Sequence, residues 1–310
     1  MQEGKIPGNI LKRSVINLIG RGPRIGADCA CMNASGTHVL SAMAAGVSKN
    51  ALSPELAVYK AANNIWAAGG TLLGIEAAFI LDTAYTEQEL KSLTRKVISA
   101  CERCGTYLAG GHTEVSGAAA RTCVAVTAVG CGDNVMSLKS IRPGDEIVVT
   151  KWLGLEETAM ILADDVFRER LFERYAPRYF ESMESCAEWL TVKEEAEIAL
   201  EYGVSAMHDV SDGGIYGALW DMAEGAGRGF EIDSGLIPFK QETVEISTFF
   251  DIDAYRMKSS GSLIIVCKDG ETLSGRLEEA GIPSSVIGRF TDNNDKIIRN
   301  EDEISYLGRK

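Results

Sequence analysis

The sequence has few aromatic residues and a deficit of positive charge, and both shortages restrict its function. Aromatic side chains make up 7% of the 310 residues while glycine occurs 32 times, which favours close backbone packing and tight turns around a polar ligand. The 31 basic residues face 44 acidic ones, for a net charge of −13. Without a basic stripe, this balance argues against a nucleic-acid partner. A bound polyphosphate would need Mg²⁺, a helix N-terminus or backbone amides to offset the acidic charge.

Long hydrophobic runs are also lacking. No 18 consecutive apolar residues occur, and the segment 1–14 lacks the apolar stretch of a signal peptide. We therefore expect a cytoplasmic protein with no membrane partner, whose eight cysteines are reduced. Cys101 and Cys104 form a single C-x-x-C pair. Because a structural zinc site needs four ligands, a metal or redox role for this pair is the less favoured alternative.

Helix-like and strand-like segments alternate along the whole chain, which predicts α/β or α+β layers. In the first half the predicted strands are 29–33, 37–42, 71–81, 106–109 and 122–130. The first predicted helix there is 8–19. The second has Ser53 as its N-cap and Pro54 at its first helical position and ends at Gly69-Gly70, and the third is opened by a capping box at Thr86 and Glu89. In the second half we predict a strand at 146–150, a helical region at 155–202, a strand ending at His208 and a helix from 215. A second capping box is predicted at Thr191 and Glu194, and a helix end at Gly203.

A stretch rich in turn-forming residues, 132–146, divides the two halves. It combines Gly, Asn, Ser and Pro, which interrupt helices and strands. We therefore predict two domains, 1–138 and 139–310.

Four polar clusters lie at strand ends or in the loops that follow strands. They are Gly26–Asp28, Gly110–Glu114, His208–Gly214 and Ser259–Ser262. Carboxylates on glycine-bearing loops suit Mg²⁺, and glycines let backbone amides approach a phosphate. The alternative is structural, since paired glycines mark turns and Asp or Thr caps helices. Taken singly, each cluster favours the structural role, because short motifs often occur by chance.

The order of these segments resembles a known superfamily. The segments are GADCA (26–30), NNIWAAGG (63–70), GGHTEVSG (110–117), HDVSDGG (208–214) and SSGSLIIV (259–266). They resemble aminoimidazole ribonucleotide (AIR) synthase, the hydrogenase maturation factor HypE, selenophosphate synthetase and thiamine-monophosphate kinase. The resemblance runs from about residue 5 to about residue 289. Its GGHTEV segment points to the HypE-like, AIR synthase-related branch.

The resemblance implies a two-domain, PurM-like fold. Residues 1–138 would form an ATP-binding and dimerisation domain whose sheet builds a barrel with a partner's sheet in a homodimer. Residues 139–310 would form an α/β domain. In such proteins ATP lies in the cleft between the domains, and N-terminal aspartates hold its phosphates through Mg²⁺. The family phosphorylates an amide-type or formyl-type oxygen and then displaces it.

Several positions depart from the family's metal-binding pattern. Asp28 is retained, but the acidic residue usual before it is Ala27. Ser41–Ala44 stand where a Thr-Asp-Pro segment is expected after the strand, and Asn63-Asn64 replace Asn-Asp. An asparagine offers a carbonyl oxygen but no charge. We therefore expect a depleted site, held by Asp28 and Asn64, that binds magnesium weakly.

The C-terminal segment departs from the HypE proteins as well. Those proteins end in a Pro-Arg-Ile-Cys-Gly tail whose cysteine takes the carbamoyl group. Here residues 306–310 read YLGRK, and the last cysteine is Cys267, inside a predicted strand. We expect that no carbamoyl transfer to such a tail takes place.

When the family's motifs are matched to this sequence residue by residue, the resemblance implies a set of catalytic and nucleotide-binding residues. The catalytic candidates are His112, Glu114 and His208. The nucleotide-binding candidates are Asp28, Asn63, Asn64, Gly110, Gly111, Thr113, Asp209, Asp212, Gly213 and Gly214. His208 closes a predicted strand, so a structural role for it stays open. We expect these residues to converge on one pocket between the domains.

Three functional hypotheses follow. The leading one is an ATP-binding protein that uses a nucleotide phosphate to activate an amide-type or carbonyl-type oxygen. The alternative is a non-catalytic homodimer that binds a nucleotide or a protein partner as a maturation factor. A third is an enzyme that acts on another small substrate without the usual metals. The altered metal positions favour the second hypothesis, and the intact GGHTEV and HDVSDGG segments favour the first.

Overall fold

The computed structural model describes residues 10, 12–19, 28–47, 50–184 and 186–308. Its first half contains a five-stranded sheet in the order β1-β2-β5-β3-β4. The strands are β1 (Ala30–Ala34), β2 (Thr37–Gly46), β3 (Thr71–Leu81), β4 (Leu108–Val115) and β5 (Cys123–Gly132). Only the β3–β4 pair is parallel. β1 and β4 are therefore the two edge strands.

Two helices, α1 (Ser53–Ala67) and α2 (Glu87–Arg103), accompany this sheet. α1 buries most of its side chains, many of them alanines, and packs against the sheet at short range. A Cβ added to Gly130, on β5, would collide with the side chain of Ile65, on α1. Small residues are needed here because the helix and the sheet approach so closely.

The second half contains a seven-stranded sheet in the order β12-β11-β8-β10-β6-β9-β7. Its strands are β6 (Glu146–Thr150), β7 (Ala206–Val210), β8 (Gly229–Asp233), β9 (Ser262–Cys267), β10 (Ser284–Thr291), β11 (Lys296–Asn300) and β12 (Glu303–Tyr306). Its main helices are α3 (Leu155–Ala163), α4 (Asp165–Phe172), α5 (Lys193–Tyr202), α6 (Gly214–Ala226), α7 (Gln241–Phe250) and α8 (Gly270–Glu279). All pairs are antiparallel except β8–β11.

The predicted mixture of helices and strands is confirmed, and no strand is shared between the two sheets. The chain passes from one sheet to the other over residues 133–145. The capping box of Thr86 and Glu89 forms as predicted, and Gly203 ends α5 with a left-handed φ of 87°. Within the predicted helix 8–19, residues 12–19 are helical, and residues 1–9 and 11 lie outside the described part.

Four local predictions were wrong. The segment 110–115, predicted as a loop, belongs to β4, and Ser41–Ala44 lie inside β2 instead of following a strand. The box at Thr191 does not form, because α5 begins after Val192 without a side-chain cap. Ser53 likewise makes no cap at the start of α1, where Leu52 takes the cap position.

One hydrophobic cluster continues from the first half into the second. It includes Ile65 of α1 together with Leu190, Val192 and Leu263 of the second half. α1 thus lies along the boundary between the two sheets, which sets the position of the candidate site. Among the described residues, no helix is long and apolar enough to cross a membrane.

Candidate functional site

Asn63 joins the two halves through hydrogen bonds to backbone. Its side-chain Nδ2 donates to the carbonyl oxygen of Leu190 at 2.9 Å, and its Oδ1 accepts from the amide of Val192 at 3.1 Å. The side chain is fully buried. Both ends of its amide are therefore engaged by the protein itself, which gives this predicted nucleotide ligand a structural role.

Asp28 and His208 meet across the boundary. Asp28 lies just before β1 and His208 lies on β7, and Oδ1 of the aspartate is 3.2 Å from Nδ1 of the imidazole. The same Nδ1 is 2.7 Å from the carbonyl oxygen of Asp209. Because a carbonyl oxygen can only accept, Nδ1 carries the hydrogen. The imidazole therefore donates from Nδ1 and leaves Nε2 as its acceptor in the neutral form.

Asp209 completes a small polar group with these two residues. Potential ligand atoms of Asp28, His208 and Asp209 all lie within 4.8 Å of one another. Asp209 is 2% exposed, so its carboxylate sits in a largely dry environment. This group is the part of the predicted site that the fold brings together.

A lysine that we did not nominate from the sequence forms an ion pair with the loop that follows His208 and Asp209. Nζ of Lys60, on α1, is 2.8 Å from Oε1 of Glu156 and 3.2 Å from Oδ1 of Asp212. Glu156 is 1% exposed and also accepts a hydrogen bond of 2.7 Å from the hydroxyl of Ser260. Nζ of Lys258 is 3.9 Å from the same oxygen of Asp212. Ion pairs thus connect the first half of the chain to α3 and to the loop before α6.

The charge on Lys60 is stabilised at this position. Burial works against the ammonium form, but the attraction of Glu156 and Asp212 outweighs it and raises the pKa of Lys60 above its ordinary value. Asn64 lies one helical turn after Lys60, so the two share a face of α1. Asn64 is half-buried, in contrast to its neighbour Asn63. Lys60 is the one basic residue of α1 and is spaced i, i+4 from Asn64, which was the sequence signal that could have revealed this lysine.

The loop 211–213 leads into α6 with two glycines in left-handed conformations. Gly213 has a φ of 90° and Gly214 a φ of 61°. A Cβ on Gly214 would collide with the carbonyl oxygen of Tyr255. These glycines are required by the backbone, and they leave the N-terminal amides of α6 beside Asp212. A helix N-terminus of this kind favours anions.

The remaining candidates lie on the other edge of the first sheet. His112 and Glu114 are on β4, with side chains 65% and 55% exposed, and their Nε2 and Oε2 atoms are 3.3 Å apart. Asp28 precedes β1, at the opposite edge of the five strands. At the usual spacing of strands, the two edges are about 19 Å apart. One chain alone therefore does not bring His112 and Glu114 together with Asp28.

The paired glycines of this segment serve different purposes. Gly111 has a φ of 151°, and a Cβ at this position would collide with the backbone of Ala77 on β3. A Cβ on Gly110 would meet nothing within 4 Å. Gly111 is thus needed for the close approach of β4 to β3, whereas Gly110 and Thr113 are exposed on the edge strand.

The donor set fits magnesium poorly. Mg²⁺ prefers oxygen ligands in octahedral geometry. Asp28 and Asp209 offer carboxylates, but the Nδ1–H of His208 lies between them and is a donor, not a ligand. Asn63 is held by backbone, and Ala42 is 4% exposed within β2 and offers no side-chain oxygen. Of the altered positions, only Asn64 still offers a side-chain oxygen as a ligand, and an asparagine adds no charge.

The C-x-x-C pair lies apart from this cleft, in α2 and at its end. Cys101 and Cys104 are both buried free thiols. Burial raises the pKa of Cys101 to about 11 and that of Cys104 to about 12. Because a thiolate is the reactive and metal-binding form, these thiols suit a packing role.

The fold and this polar group together define a class of two-domain protein with polar residues at the boundary between two sheets. Two family models match the chain: AIR synthase related protein, N-terminal domain, over residues 26–131, and AIR synthase related protein, C-terminal domain, over residues 142–300. The chain belongs to the family of AIR synthase related proteins.

Individual relatives agree with this assignment. The chain is 27% identical over 243 residues to carbamoyl dehydratase HypE of Rhodobacter capsulatus, covering 76% of this chain and 68% of that protein. A crystal structure of a HypE–HypF complex superposes with a TM-score of 0.80 at 19% identity, covering 97% of this chain and 99% of that one. A structure of HypE in complex with ATP gives a TM-score of 0.75 at 17% identity, covering 99% and 96%. At these identities the structures establish the fold.

Proposed function

We propose that this chain binds ATP in the cleft between its two halves. The observation that carries the proposal is the contact of Asp28 with His208, beside Asp209 and the glycine-rich start of α6. It unites polar groups from both halves next to a helix N-terminus that favours phosphate. The relatives support it, since HypE has been solved with ATP and a HypE is named a carbamoyl dehydratase.

In this proposal each group of residues has a separate task. The backbone amide of Gly213 and the N-terminal end of α6 face the phosphates, and Asp212 positions that loop through Lys60. His208, held through Nδ1, keeps Nε2 available to accept a proton. Asp28 fixes the imidazole from the other half of the chain. No step requires magnesium; any ion that entered would be held by Asp28 and Asn64.

The reaction we propose is phosphoryl transfer to an amide-type or carbonyl-type oxygen. The phosphoryl group moves from ATP to that oxygen and ADP is released. A nitrogen, either of the amide itself or of a second reactant, then forms a new bond to the carbon and gives up its proton to Nε2 of His208, while the C–O bond breaks with phosphate as the leaving group. The protein contributes positioning and charge neutralisation, which dominate catalysis of phosphoryl transfer. Cys267, the last residue of β9, is 1% exposed, so it is not an acceptor of a carbamoyl group.

We further propose a cytoplasmic homodimer formed through the first half, with domains at 1–138 and 139–310. Along β1 every residue is exposed, and along β4 nearly every one. Exposed apolar side chains on this sheet and beside it include Met32, Met43, Leu73, Tyr107 and Val115. Unpaired edges and apolar surface of this kind favour association with another chain. A second copy would bring its His112, Glu114 and Thr113 to a site that one chain leaves incomplete.

Light scattering tests this arrangement directly. At micromolar concentration we expect a mass of twice 33.4 kDa. A Met43→Asp variant, which places a charge on the exposed sheet face, should shift the equilibrium towards monomer. A monomeric natural protein would contradict the dimer proposal.

A second candidate function is a non-catalytic homodimer that binds a nucleotide or a protein partner. The poor fit of the site to magnesium favours it, since Asn64 and Ala42 replace the carboxylates expected from the family. The complex of HypE with HypF shows that a similar fold has a protein partner. In this case ATP would bind but no phosphate would be released.

Calorimetric titration with ATP, ADP and AMP, each with and without Mg²⁺, tests the proposed function. We expect ATP to bind more tightly than AMP, because the site is built around phosphate-binding amides. A phosphate-release assay on the same samples, with an amide-type or carbonyl-type acceptor added, then separates the two candidates. Absence of binding by all three nucleotides would contradict the proposed function and the nucleotide-binding form of the second candidate.

A further inference from the structure

The boundary between the halves holds an ammonium group that contacts two carboxylates. Glu156 and Asp212 come from different elements of the second half, and Nζ of Lys60 lies between them at 2.8 and 3.2 Å. Lys60 itself comes from α1 in the first half. Its side chain is 15% exposed, against 1% for Glu156 and 45% for Asp212. The ammonium of Lys60 is thus a cation covalently attached to the protein, and it contacts carboxylate oxygens of two different elements.

We propose that the ammonium of Lys60 takes the place of a divalent cation in this cleft. The family implies magnesium at the boundary between the halves, and the donor set of this chain does not fit it. Lys60 supplies positive charge to Glu156 and Asp212 without an exchangeable ion. A divalent ion entering between these oxygens would meet the ammonium and be repelled.

The alternative is an ordinary ion pair that happens to join two domains. Burial distinguishes the two: a surface ion pair contributes little, whereas a carboxylate as buried as Glu156 requires a compensating charge. Ser260 supplies a hydrogen bond to Glu156 but no charge. Removing the ammonium should therefore leave the buried oxygens of Glu156 without the charge of Lys60, beside an Asp212 that keeps Lys258 at 3.9 Å. Carboxylate oxygens are the ligands that Mg²⁺ and Mn²⁺ prefer. An ordinary pair on the surface would leave no such site.

The proposal predicts that removal of the lysine ammonium lets a divalent ion from solution bind in its place. Lys60→Ala should create a binding site for one divalent ion per chain, held by Glu156 and Asp212. Mn²⁺ alone is the probe, and the loss of the electron paramagnetic resonance signal of free Mn²⁺ reports binding. Lys60→Arg keeps the charge and should not create the site. Lys91→Ala is the matched control, since Lys91 forms a solvent-exposed pair with Glu87 at 2.6 Å.

We expect Lys60→Ala to bind Mn²⁺ about tenfold or more tightly than the natural protein, a difference well outside the error of such titrations. The double variant Lys60→Ala/Asp212→Asn should lose this gain. Lys60→Gln, which keeps a polar side chain of similar reach, is the second variant should Lys60→Ala fail to fold. Equal Mn²⁺ binding by the natural protein and Lys60→Ala would overturn the inference. Absence of Mn²⁺ binding by Lys60→Ala and Lys60→Gln would overturn it as well.

The titration contains no nucleotide, so its outcome is separate from that of the proposed function. A chain that binds no ATP but gains Mn²⁺ on loss of Lys60 would contradict the proposed function and support this inference. If the natural protein binds ATP while Lys60→Ala and Lys60→Gln gain no Mn²⁺ binding, the proposed function would be supported and this inference contradicted.

Discussion

Asn63 offers a sharp test of whether the two halves are joined as described. Replacing it with alanine removes both the donor to Leu190 and the acceptor for Val192, and leaves two buried backbone groups without these partners. Each unsatisfied group costs about 1–3 kcal/mol. We therefore expect Asn63→Ala to lower the free energy of unfolding by about 2–6 kcal/mol, measured by urea denaturation.

The next residue of the helix provides the matched control. Asn64 is half-buried and shares the face of Lys60, so Asn64→Ala should lower the free energy of unfolding by less than about 1 kcal/mol. Asn63→Asp keeps the acceptor but turns a carboxylate towards the carbonyl oxygen of Leu190, and should destabilise at least as much as Asn63→Ala. If Asn63→Ala and Asn64→Ala proved equally mild, the structural role of Asn63 would be wrong.

Three further predictions concern other parts of the molecule. Gly111→Ala should lower the thermal unfolding temperature clearly, because its Cβ collides with Ala77, whereas Gly110→Ala should change it little. In the native protein the thiol of Cys104, whose pKa is raised to about 12 by burial, should react with a thiol reagent far more slowly than the exposed Cys31. The raised pKa of Lys60 stabilises the folded protein fully below about pH 10.5, and this stabilisation is lost as the pH rises through the higher pKa of the folded state. The difference in free energy of unfolding between the natural protein and Lys60→Met should therefore shrink at strongly alkaline pH. Comparable alkylation of Cys104 and Cys31, or a difference that grows with pH, would contradict these expectations.

Much of the fold could be predicted because its signals are local. The capping box of Thr86 and Glu89 and the helix end at Gly203 each depend on residues within one turn, and both form. The similar pattern at Thr191 fails, since the chain there is fixed by the contact of Asn63 with residues 190–192. Tertiary contacts override a local preference in this case.

The paired glycines of the GGHTEV segment show another limit. Two consecutive glycines are typical of a turn, and we predicted a loop from them. In the structure Gly111 has its positive φ inside a strand, where it permits a close approach to β3. The two glycines indicate that the backbone needs a conformation or a close contact that only glycine allows. They do not indicate whether a turn or a neighbouring strand is the reason.

The candidate site was predicted in part. The motifs nominated Asp28, His208 and Asp209, which lie together, but sequence order could not reveal that His112 is on the opposite edge of the sheet. The pairing of Lys60 with Glu156 joins residues 96 positions apart. Such a contact depends on how the halves pack, which no local pattern encodes.

The central claim is that ATP binds in the cleft where Asp28 meets His208. Calorimetric titration of ATP into the natural protein, Asp28→Ala and Asp292→Ala tests it most directly, since Asp292 is a surface aspartate 81% exposed and paired with Arg228. We predict that ATP binds the natural protein and Asp292→Ala equally, and that Asp28→Ala weakens binding about tenfold or more. Equal affinity for all three proteins, or no affinity for any, would contradict the claim.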